Sequence, residues 1–226
     1  MRRARGFTLV ELAVALAVIG LLLGMLVMPL SAQVDQQRNS ETQKLLGLNT
    51  EAVLGFAVAN GRLPCPATPG TATGVAGAGV ENKPGAACGL TEGVLPWATL
   101  GVQETDAWGR RFTYRVTLVL ADDPTGGLQA SFMLTDTGDI TVKATSGGAS
   151  IATNVAAVIV SHGKNGLGAI QTSGVQLAGA AGDDLENANA DANFVSKLPD
   201  TAFDDLVAWV SPNVLKSRMV AANRLP

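Results

Sequence analysis

The stretch FTLVELAVALAVIGLLLGMLVMPL, residues 7–30, constrains how the rest of the chain is arranged. Its 24 residues contain one charge, Glu11. At a rise of about 1.5 Å per residue, a helix of this length would cross the roughly 30 Å hydrocarbon core of a bilayer. Arg2, Arg3 and Arg5 precede it, and basic residues hold their end of a membrane helix in the cytoplasm. We therefore predict a single-pass helix over 7–30, with the remainder of the chain on the outer side.

Two ordinary kinds of N-terminal segment account for this pattern less well. A secretory signal peptide has an apolar core of about 7–15 residues and a small-residue cleavage site, whereas this run is longer and carries an acid near its start. A plain signal anchor fits the length but gives Glu11 no role. A carboxylate inside a bilayer costs about 2.5–3.5 kcal/mol, and the next basic residue, Arg38, is too far along the helix to offset it. Charge reasoning therefore requires a partner for Glu11 from another chain.

The sequence GFTLVE at residues 6–11, after a short basic leader, resembles the cleavage and methylation signature of type IV prepilins and type II secretion pseudopilins. The resemblance implies that a membrane aspartyl peptidase, the prepilin peptidase, cuts between Gly6 and Phe7 and methylates Phe7. It also implies that Glu11 pairs with the free amine of a neighbouring subunit. That amine is the partner which the charge argument requires.

The same resemblance implies a pilin-like α+β fold with three segments. These are a leader over 1–6, a spine helix over 7–60 whose first part, 7–30, is transmembrane, and a β-rich globular head over 61–226. Asn60-Gly61 is typical of a helix C-terminus, and Pro64 bars continuation. The second, amphipathic half of the helix is predicted to pack an apolar stripe against an antiparallel sheet; this stripe is Leu45, Leu48, Ala52 and Phe56, at helical spacing.

Runs rich in β-branched and aromatic residues predict the strands of the head. Val155–Val160 is a continuous apolar run, typical of a central strand. A hairpin is predicted around 136–139, and Ser211-Pro212 predicts the start of a short helix. The remaining strands are predicted at 111–120, at 131–135 and 140–143 on either side of the hairpin turn, and at 203–210.

Two cysteines, Cys65 and Cys88, bracket a Gly/Ala/Thr-rich loop over 66–80. In an extracytoplasmic head this pair is expected to be oxidised rather than present as two free thiols. A disulfide closing a loop of this length contributes about 3 kcal/mol in the entropic treatment. No CxxC spacing occurs, so we predict a structural cross-link and not a redox site.

Composition limits the partners of the head. The chain has 16 basic and 19 acidic residues; without the three leader arginines the balance is 13 against 19, or −6. An acidic body lacks the clustered Lys and Arg that a nucleic-acid interface needs, and no nucleic-acid partner is expected. The predicted partners are the prepilin peptidase, other pilin or pseudopilin subunits through the N-terminal helix, and the inner membrane before assembly.

Three further stretches bear on cofactors. Residues 106–114 resemble the D-x-W-G segment that opens the sheet of major pseudopilins, and 161–166 resemble the turn after a later strand. In those relatives a following acidic loop binds calcium. Here an acidic and amide-rich stretch follows, with Asp183, Asp184, Glu186 and Asp191 as weak calcium candidates. Its spacing matches no EF-hand, so we expect a solvated loop and no cofactor.

We predict a structural subunit and not an enzyme. His162, the one histidine, lies in a Gly/Asn-rich turn, and its neighbour Ser161 cannot easily form a nucleophile–base pair with it. The expected function is a prepilin-type subunit of a type IV pilus or type II secretion pseudopilus, with its head periplasmic or extracellular. The alternative is a membrane-anchored binding or adhesin module that does not polymerise. Composition does not distinguish a type IV pilus subunit from a type II secretion pseudopilus subunit.

Overall fold

The computed structural model describes residues 8–124 and 129–225; for residues 23 and 25–30 it describes the backbone alone. The fold is α+β, with an N-terminal helix and an antiparallel sheet. The chain divides into two units, Met1–Ser40 and Glu41–Pro226. In chain order the helices and strands are α1 Leu9–Asn60, β1 Glu92–Val94, α2 Trp97–Leu100, β2 Arg110–Arg111, β3 Thr113–Val116, β4 Ile140–Lys143, β5 Ser150–Val155, β6 Ala157–Ser161, β7 Ile170–Gln171, α3 Gly182–Glu186, β8 Asn193–Val195, β9 Leu206–Val210 and α4 Pro212–Ala221, with a 3₁₀ turn at Leu118–Leu120.

Helix α1 ends where the sequence indicates. Gly61 has a φ of +75°, and its N–H donates to the carbonyl of Ala57 at 2.8 Å. Glycine adopts this left-handed conformation without a Cβ clash, which makes it the usual residue just after a helix. The side-chain amide of Asn60 donates to the carbonyl of Phe56 at 2.9 Å and occupies another of the last carbonyls of the helix.

The buried face of α1 differs from the predicted apolar stripe. Leu48, placed in that stripe, is 64% exposed, and Leu45, Ala52 and Phe56 are only half-buried. The buried residues are Thr42, Leu46, Asn49, Val53, Leu54 and Ala57. The run VLGFAV at 53–58 is apolar around the whole helix, so spacing between leucines alone could not identify which side faces the core. The buried face of α1 also includes two polar residues, Thr42 and Asn49, which an apolar pattern does not reveal.

The main sheet has four strands in the order β1-β3-β6-β9, all antiparallel. Its interior strand β6 is buried along its whole length. Ala157 and Ile159 pack in the core that contains the buried face of α1. Val158 and Val160, which point to the opposite side of the sheet, pack with residues of a second sheet. Burial on both faces explains why this strand reads as a continuous apolar run.

The second sheet has the order β5-β4-β8, and β4 pairs with β8 in parallel. The predicted hairpin between 131–135 and 140–143 is wrong, because β4 pairs with the later strand β5 instead. Residues 131–135 form turns: Phe132 is buried in the core, and the carboxylate of Asp136 accepts a hydrogen bond from the Met133 N–H at 2.8 Å. Because Phe132 is buried in the core and the turn after it is capped by Asp136, residues 131–135 do not join the sheet.

Three other predicted strands are shorter than expected. The run 111–120 ends as a strand at Val116, after which Thr117 donates to the carboxylate of Asp139 at 2.6 Å and the chain turns into the 3₁₀ segment. The predicted strand 155–160 covers the last residue of β5, Val155, and most of β6, which begins at Ala157. The predicted strand 203–210 begins only at Leu206, since the two preceding aspartates lie in a buried polar group described below. Helix α4 begins at Pro212 with Ser211 at the N-cap position.

Candidate functional site

The N-terminus of α1 carries a reciprocal cap. The N–H and hydroxyl of Thr8 both donate to Oε2 of Glu11, each at 2.9 Å, and the N–H of Glu11 donates back to the Thr8 hydroxyl at 3.3 Å. This is a capping box, which satisfies backbone donors that a helix start leaves free. Glu11 thus has a hydrogen-bonding partner in its own chain, which charge reasoning had missed. Gly6 and Phe7, the predicted cleavage site, lie outside the described residues.

The helix that follows this cap exposes its apolar side chains. Nine large apolar residues between Leu9 and Leu22 are each more than half exposed: Leu9, Val10, Leu12, Val14, Leu16, Val18, Ile19, Leu21 and Leu22. Soluble monomers rarely expose contiguous apolar surface of this extent, and such patches mark sites of contact with other proteins or with lipid. The part of α1 from Leu9 to Leu22 therefore has the properties of an interaction surface.

Within the described residues, no helix combines the length and the apolar character that a membrane span requires. The predicted span, 7–30, includes residue 7 and the side chains of 23 and 25–30, which lie outside the described part of the chain.

The head contains the predicted cross-link. Cys65 and Cys88 form a disulfide with their Cα atoms 5.3 Å apart. Beside it, the guanidinium of Arg62 forms a bidentate pair with Glu81, both distances 2.9 Å, and the Cys65 N–H donates to the same carboxylate at 3.1 Å. The loop between the cysteines is thus anchored by an ion pair as well as by the disulfide.

A second buried arginine holds the Gly/Ala/Thr-rich loop. Arg111 is fully buried; its guanidinium donates to Glu104 at 2.9 Å and stacks over the ring of Trp97, 4.6 Å from the centroid. It also donates to two loop carbonyls, those of Pro69 at 3.1 Å and Thr71 at 2.8 Å. Arg111 lies in the stretch that resembles the D-x-W-G segment, and its role is to organise this loop.

The weak calcium candidates do not come together. Asp183 accepts the Ser146 N–H at 2.8 Å and pairs with Lys197 at 2.9 Å, and these contacts hold the pKa of its carboxyl below the usual range. Glu186 pairs with Lys143 at 3.3 Å.

Of the other two candidates, Asp191 accepts hydrogen bonds from the Asn193 N–H at 2.6 Å and the Asn189 amide at 3.1 Å, within its own loop. Asp184 alone is buried, with 2% of its surface exposed. A cation held by all four residues of the acidic stretch does not fit this arrangement.

Asp184 instead lies with two aspartates that sequence reasoning missed, Asp204 and Asp205. One carboxylate oxygen from each of the three lies within 4.8 Å of the others. Asp204 and Asp205 immediately precede β9, and Asp184 belongs to α3, so three carboxylates from distant positions converge. The available signal in the sequence is the pair of acids directly before an apolar strand, FDDLVAWV at 203–210, because acids there cannot face the core without partners.

Neighbouring amide groups position these carboxylates. The side-chain amide of Asn165 donates to Asp184 at 3.2 Å, and the N–H of Asn165 donates to Asp204 at 2.8 Å. The side-chain amide of Asn187 donates to Asp205 at 2.8 Å. Burial, followed by the charge of Asp205, raises the pKa of Asp184 to about 6, and burial raises the pKa of Asp204 as well.

The histidine lies against the same group. His162 is fully buried; its Nε2 is 2.9 Å from the Thr113 hydroxyl, and its Nδ1 is 3.6 Å from Oδ2 of Asp205. Ser161 has a different partner, since its hydroxyl donates to Asp106 at 2.6 Å. Ser161 and His162 are therefore oriented toward separate polar groups.

A small pocket of about 150 Å³ is lined by Glu92, Thr113, Gln176 and five further residues, Pro69, Gly93, Ile170, Ala188 and Ala190. The Glu92 carboxylate is largely buried and lies 3.7 Å from the guanidinium of Arg115, the residue opposite it on β3. Burial, only partly offset by the charge of Arg115, raises the pKa of Glu92 to about 7. The pocket therefore has a carboxyl group that changes its charge near neutral pH.

Comparison with known proteins identifies the N-terminal segment. Residues 1–27 match the family model described as the prokaryotic N-terminal methylation motif. This motif is the signature of type IV pilins and pseudopilins, so the chain carries a prepilin-type N-terminus, as predicted. No curated protein and no solved structure matches the chain.

Proposed function

We propose that the chain is a prepilin-type structural subunit that is cut between Gly6 and Phe7 and then assembled into a type IV pilus or type II secretion pseudopilus filament. The methylation motif over 1–27 supports processing by a prepilin peptidase. The exposed apolar side chains between Leu9 and Leu22 carry the assembly part of the proposal, because they need either lipid or other subunits to cover them.

In this proposal the same helix serves two environments in turn. Before assembly it anchors the chain in the inner membrane, with the basic leader in the cytoplasm and the head in the periplasm. After cleavage it packs against the helices of other subunits. The Cys65–Cys88 disulfide supports an oxidising location for the head, since disulfides persist outside the cytoplasm.

Cleavage gives Glu11 a new partner in this scheme. Removal of residues 1–6 creates a positively charged amine at Phe7, and Glu11 becomes the fifth residue of the mature chain. A carboxylate in an apolar helix bundle is stabilised by an opposite charge, which the amine of a neighbouring subunit supplies. The capping contact with Thr8 holds the Glu11 carboxylate at the N-terminal end of α1. We propose no catalytic role for the chain.

Processing and assembly are tested separately. Co-expression with a prepilin peptidase is expected to yield a chain that begins at N-methylated Phe7 by mass spectrometry, and Gly6→Val is expected to leave Met1 in place. Intact Met1 in the unmodified chain after co-expression would overturn the processing step.

Assembly is tested with Glu11→Ala, which is expected to be processed normally and to be lost from sheared filaments. Glu51→Ala, at a 62% exposed acid farther along the same helix, is the matched control and should assemble as the unmodified chain does. Equal recovery of the two variants in filaments would overturn the role of Glu11.

A further inference from the structure

From the cavity that Glu92 lines, we infer that the head binds a primary ammonium group carried on a short alkyl chain. The ammonium contacts the Glu92 carboxylate, and the alkyl chain lies along the apolar wall of the cavity. The inference concerns the head alone, goes beyond the proposed function, and does not depend on processing or assembly.

The cavity combines one ionisable group with an apolar wall. Glu92, Thr113 and Gln176 supply its polar atoms, whereas Pro69, Ile170 and two alanines supply apolar surface. Its volume of about 150 Å³ equals that of about five water molecules in the liquid. A space of this size suits a ligand group of a few heavy atoms, with one charged end and one apolar end.

A second cavity adjoins the first and extends its apolar wall. It has a volume of about 280 Å³ and shares Gln176 and Ala188 with the cavity that Glu92 lines. Leu177 and Leu185 lie in its wall with several glycines and alanines, and the described residues that line it carry no charge. A hydrocarbon chain that leads away from Glu92 therefore meets apolar surface.

The ion pair beside the cavity is incomplete. The guanidinium of Arg115 comes only within 3.7 Å of Oε2 of Glu92, which is too long for a hydrogen bond. Glu92 Oε2 and Arg115 Nε are both buried and have no hydrogen-bond partner among the described residues. The nearer contact of Arg115 is with the carbonyl of Ala190, to which its Nη1 donates at 3.4 Å. An ammonium group brings three N–H donors, and a buried carboxylate requires such donors.

The charges around Glu92 favour a cation as the ligand. Arg115 on β3 favours the ionised form of Glu92, as does any positive charge on His162 in the turn after β6. Asp191, which precedes β8, disfavours it. With the imidazole neutral, two carboxylates face one guanidinium, so a further positive charge is attracted and an anionic ligand is repelled.

Glu92 lowers the stability of the fold when it is ionised. Burial raises its pKa to about 7, only partly offset by Arg115. A group that is costly to keep and that lines a cavity is a candidate for binding, because the ligand supplies the compensation that the fold lacks. A bound ammonium stabilises the ionised carboxylate and lowers this pKa, so binding near neutral pH releases a proton.

The test uses the full-length chain in detergent, with n-butylamine as the probe in isothermal calorimetry. The amine is protonated at pH 6 and at pH 8, as a lysine is, whereas the fraction of ionised Glu92 rises about tenfold between these values. The dissociation constant is therefore expected to be about tenfold lower at pH 8 than at pH 6. Absence of binding at pH 8 overturns the inference, and equal affinity at the two values overturns the role of Glu92.

Two further measurements examine the ligand class. Titration at pH 7 in buffers of different ionisation enthalpy should show release of about half a proton per bound amine, since Glu92 is about half ionised there. Trimethyl-n-butylammonium has the same charge and chain but no N–H donor, and it should bind more weakly than n-butylamine. Equal binding of the two cations overturns the assignment to a primary ammonium.

Two matched variants locate the site. Glu92→Gln keeps the shape of the side chain and is expected to weaken binding of n-butylamine at pH 8 at least about tenfold while the chain stays folded by near-UV circular dichroism. Glu51→Gln makes the same change at a 62% exposed acid and should bind as the unmodified chain does. If Glu92→Gln binds with full affinity, or Glu51→Gln loses binding, the proposed site is wrong.

The ammonium has two sources, a free alkyl amine or the lysine side chain of another protein. Nα-acetyl-lysine N-methylamide binds more tightly than n-butylamine if the source is a lysine, and more weakly if it is a free amine. The Glu11→Ala chain should bind n-butylamine as the unmodified chain does, which separates this test from that of the proposed function. Loss of binding in Glu11→Ala would contradict a site built from the head alone.

Discussion

Ala190 is held in a backbone conformation that amino acids with a Cβ rarely adopt. Its φ is +62°, and the residue is exposed, so no buried contact of its side chain compensates for the strain. Ala190→Gly is therefore expected to stabilise the protein by up to about 1 kcal/mol, measured by urea unfolding.

The control for this prediction is Ala192→Gly, two residues along the same loop, where the φ is not positive. There glycine adds freedom to the unfolded chain and removes a half-buried methyl group, and we expect a loss of about 0.5–1 kcal/mol. Destabilisation of both variants to the same extent would show that the conformation of Ala190 is not strained.

Glu92 makes stability depend on pH near neutrality. Its pKa in the folded chain is about 7, mainly because of burial, against about 4.3 for an unfolded glutamate. Since the folded state holds its proton more tightly, the contribution of this group is most favourable below about pH 4 and is lost as the pH rises through 7. Glu92→Gln should therefore be about 1–3 kcal/mol more stable than the unmodified chain at pH 8, with a small difference at pH 5.

Urea unfolding at the two pH values checks this difference. The matched control is Glu51→Gln, whose carboxylate is 62% exposed and forms a surface pair with Arg218. A surface ion pair contributes about 0–1 kcal/mol, so the control should change little at either pH. If Glu92→Gln is destabilising at pH 8, the pairing of Glu92 with Arg115 outweighs its burial, and the assigned direction is wrong.

The Gly/Ala/Thr-rich loop is an element without regular secondary structure, and one buried guanidinium, that of Arg111, bonds to it directly. Arg111 donates to the carbonyls of Pro69 and Thr71 in this loop and is fully buried. Removing the charged partner leaves buried acceptors unsatisfied, so Arg111→Met is expected to cost about 3 kcal/mol or more. Limited proteolysis should then cut within 66–80, whereas the unmodified chain is expected to resist cleavage there.

Arg218→Met is the control for this substitution, because Arg218 is 54% exposed and its pair with Glu51 lies at the surface. Its stability should change by less than about 1 kcal/mol. Equal protection of the loop in both variants would mean that the Cys65–Cys88 disulfide and the Arg62–Glu81 pair suffice to hold it.

Sequence patterns predicted the ends of helices correctly where neighbouring residues alone determine the backbone conformation. Gly61 ends α1 and Pro212 begins α4 because backbone conformation at those residues is set within a few positions. The hairpin predicted at 131–143 failed because strand pairing is not local: β4 pairs with β5 and β8, which lie later in the chain. Turn residues at 136–139 could indicate a turn but not which strands would pair.

The same limit applies to the candidate sites: a motif of consecutive residues can be recognised in the sequence, but a group that folding assembles cannot. The motif at residues 6–11 was readable because its residues are consecutive. The group of Asp184, Asp204 and Asp205 was not, because folding brings α3 and the segment before β9 together over about twenty residues of sequence. The acidic stretch 183–193 attracted attention by its density, yet two of its four candidates are paired with lysines. Proximity in three dimensions, rather than local density of acids, defines the site.

The division of the chain into Met1–Ser40 and Glu41–Pro226 leads to a prediction about folding. Every buried apolar residue in the described ranges lies at Leu46 or beyond. Ser40 and Gln43 have capping-box spacing, so a helix that begins there is capped by its own sequence. A fragment of residues 40–226 is therefore expected to fold without detergent, as a monomer, with the Cys65–Cys88 disulfide formed. Near-UV circular dichroism and gel filtration measure this.

A shorter fragment, residues 61–226, is the control for the boundary. It lacks the buried face of α1, including Leu46, Val53, Leu54 and Ala57, all of which are at most 4% exposed. Each buried leucine or valine contributes about 1.5–3 kcal/mol, so their joint loss exceeds the stability of a typical domain once the exposed sheet surface is counted. This fragment should be unfolded or aggregated. If it folds as well as 40–226 does, α1 is not part of the head. If 40–226 needs detergent, residues 1–39 contribute to the fold and not only to assembly.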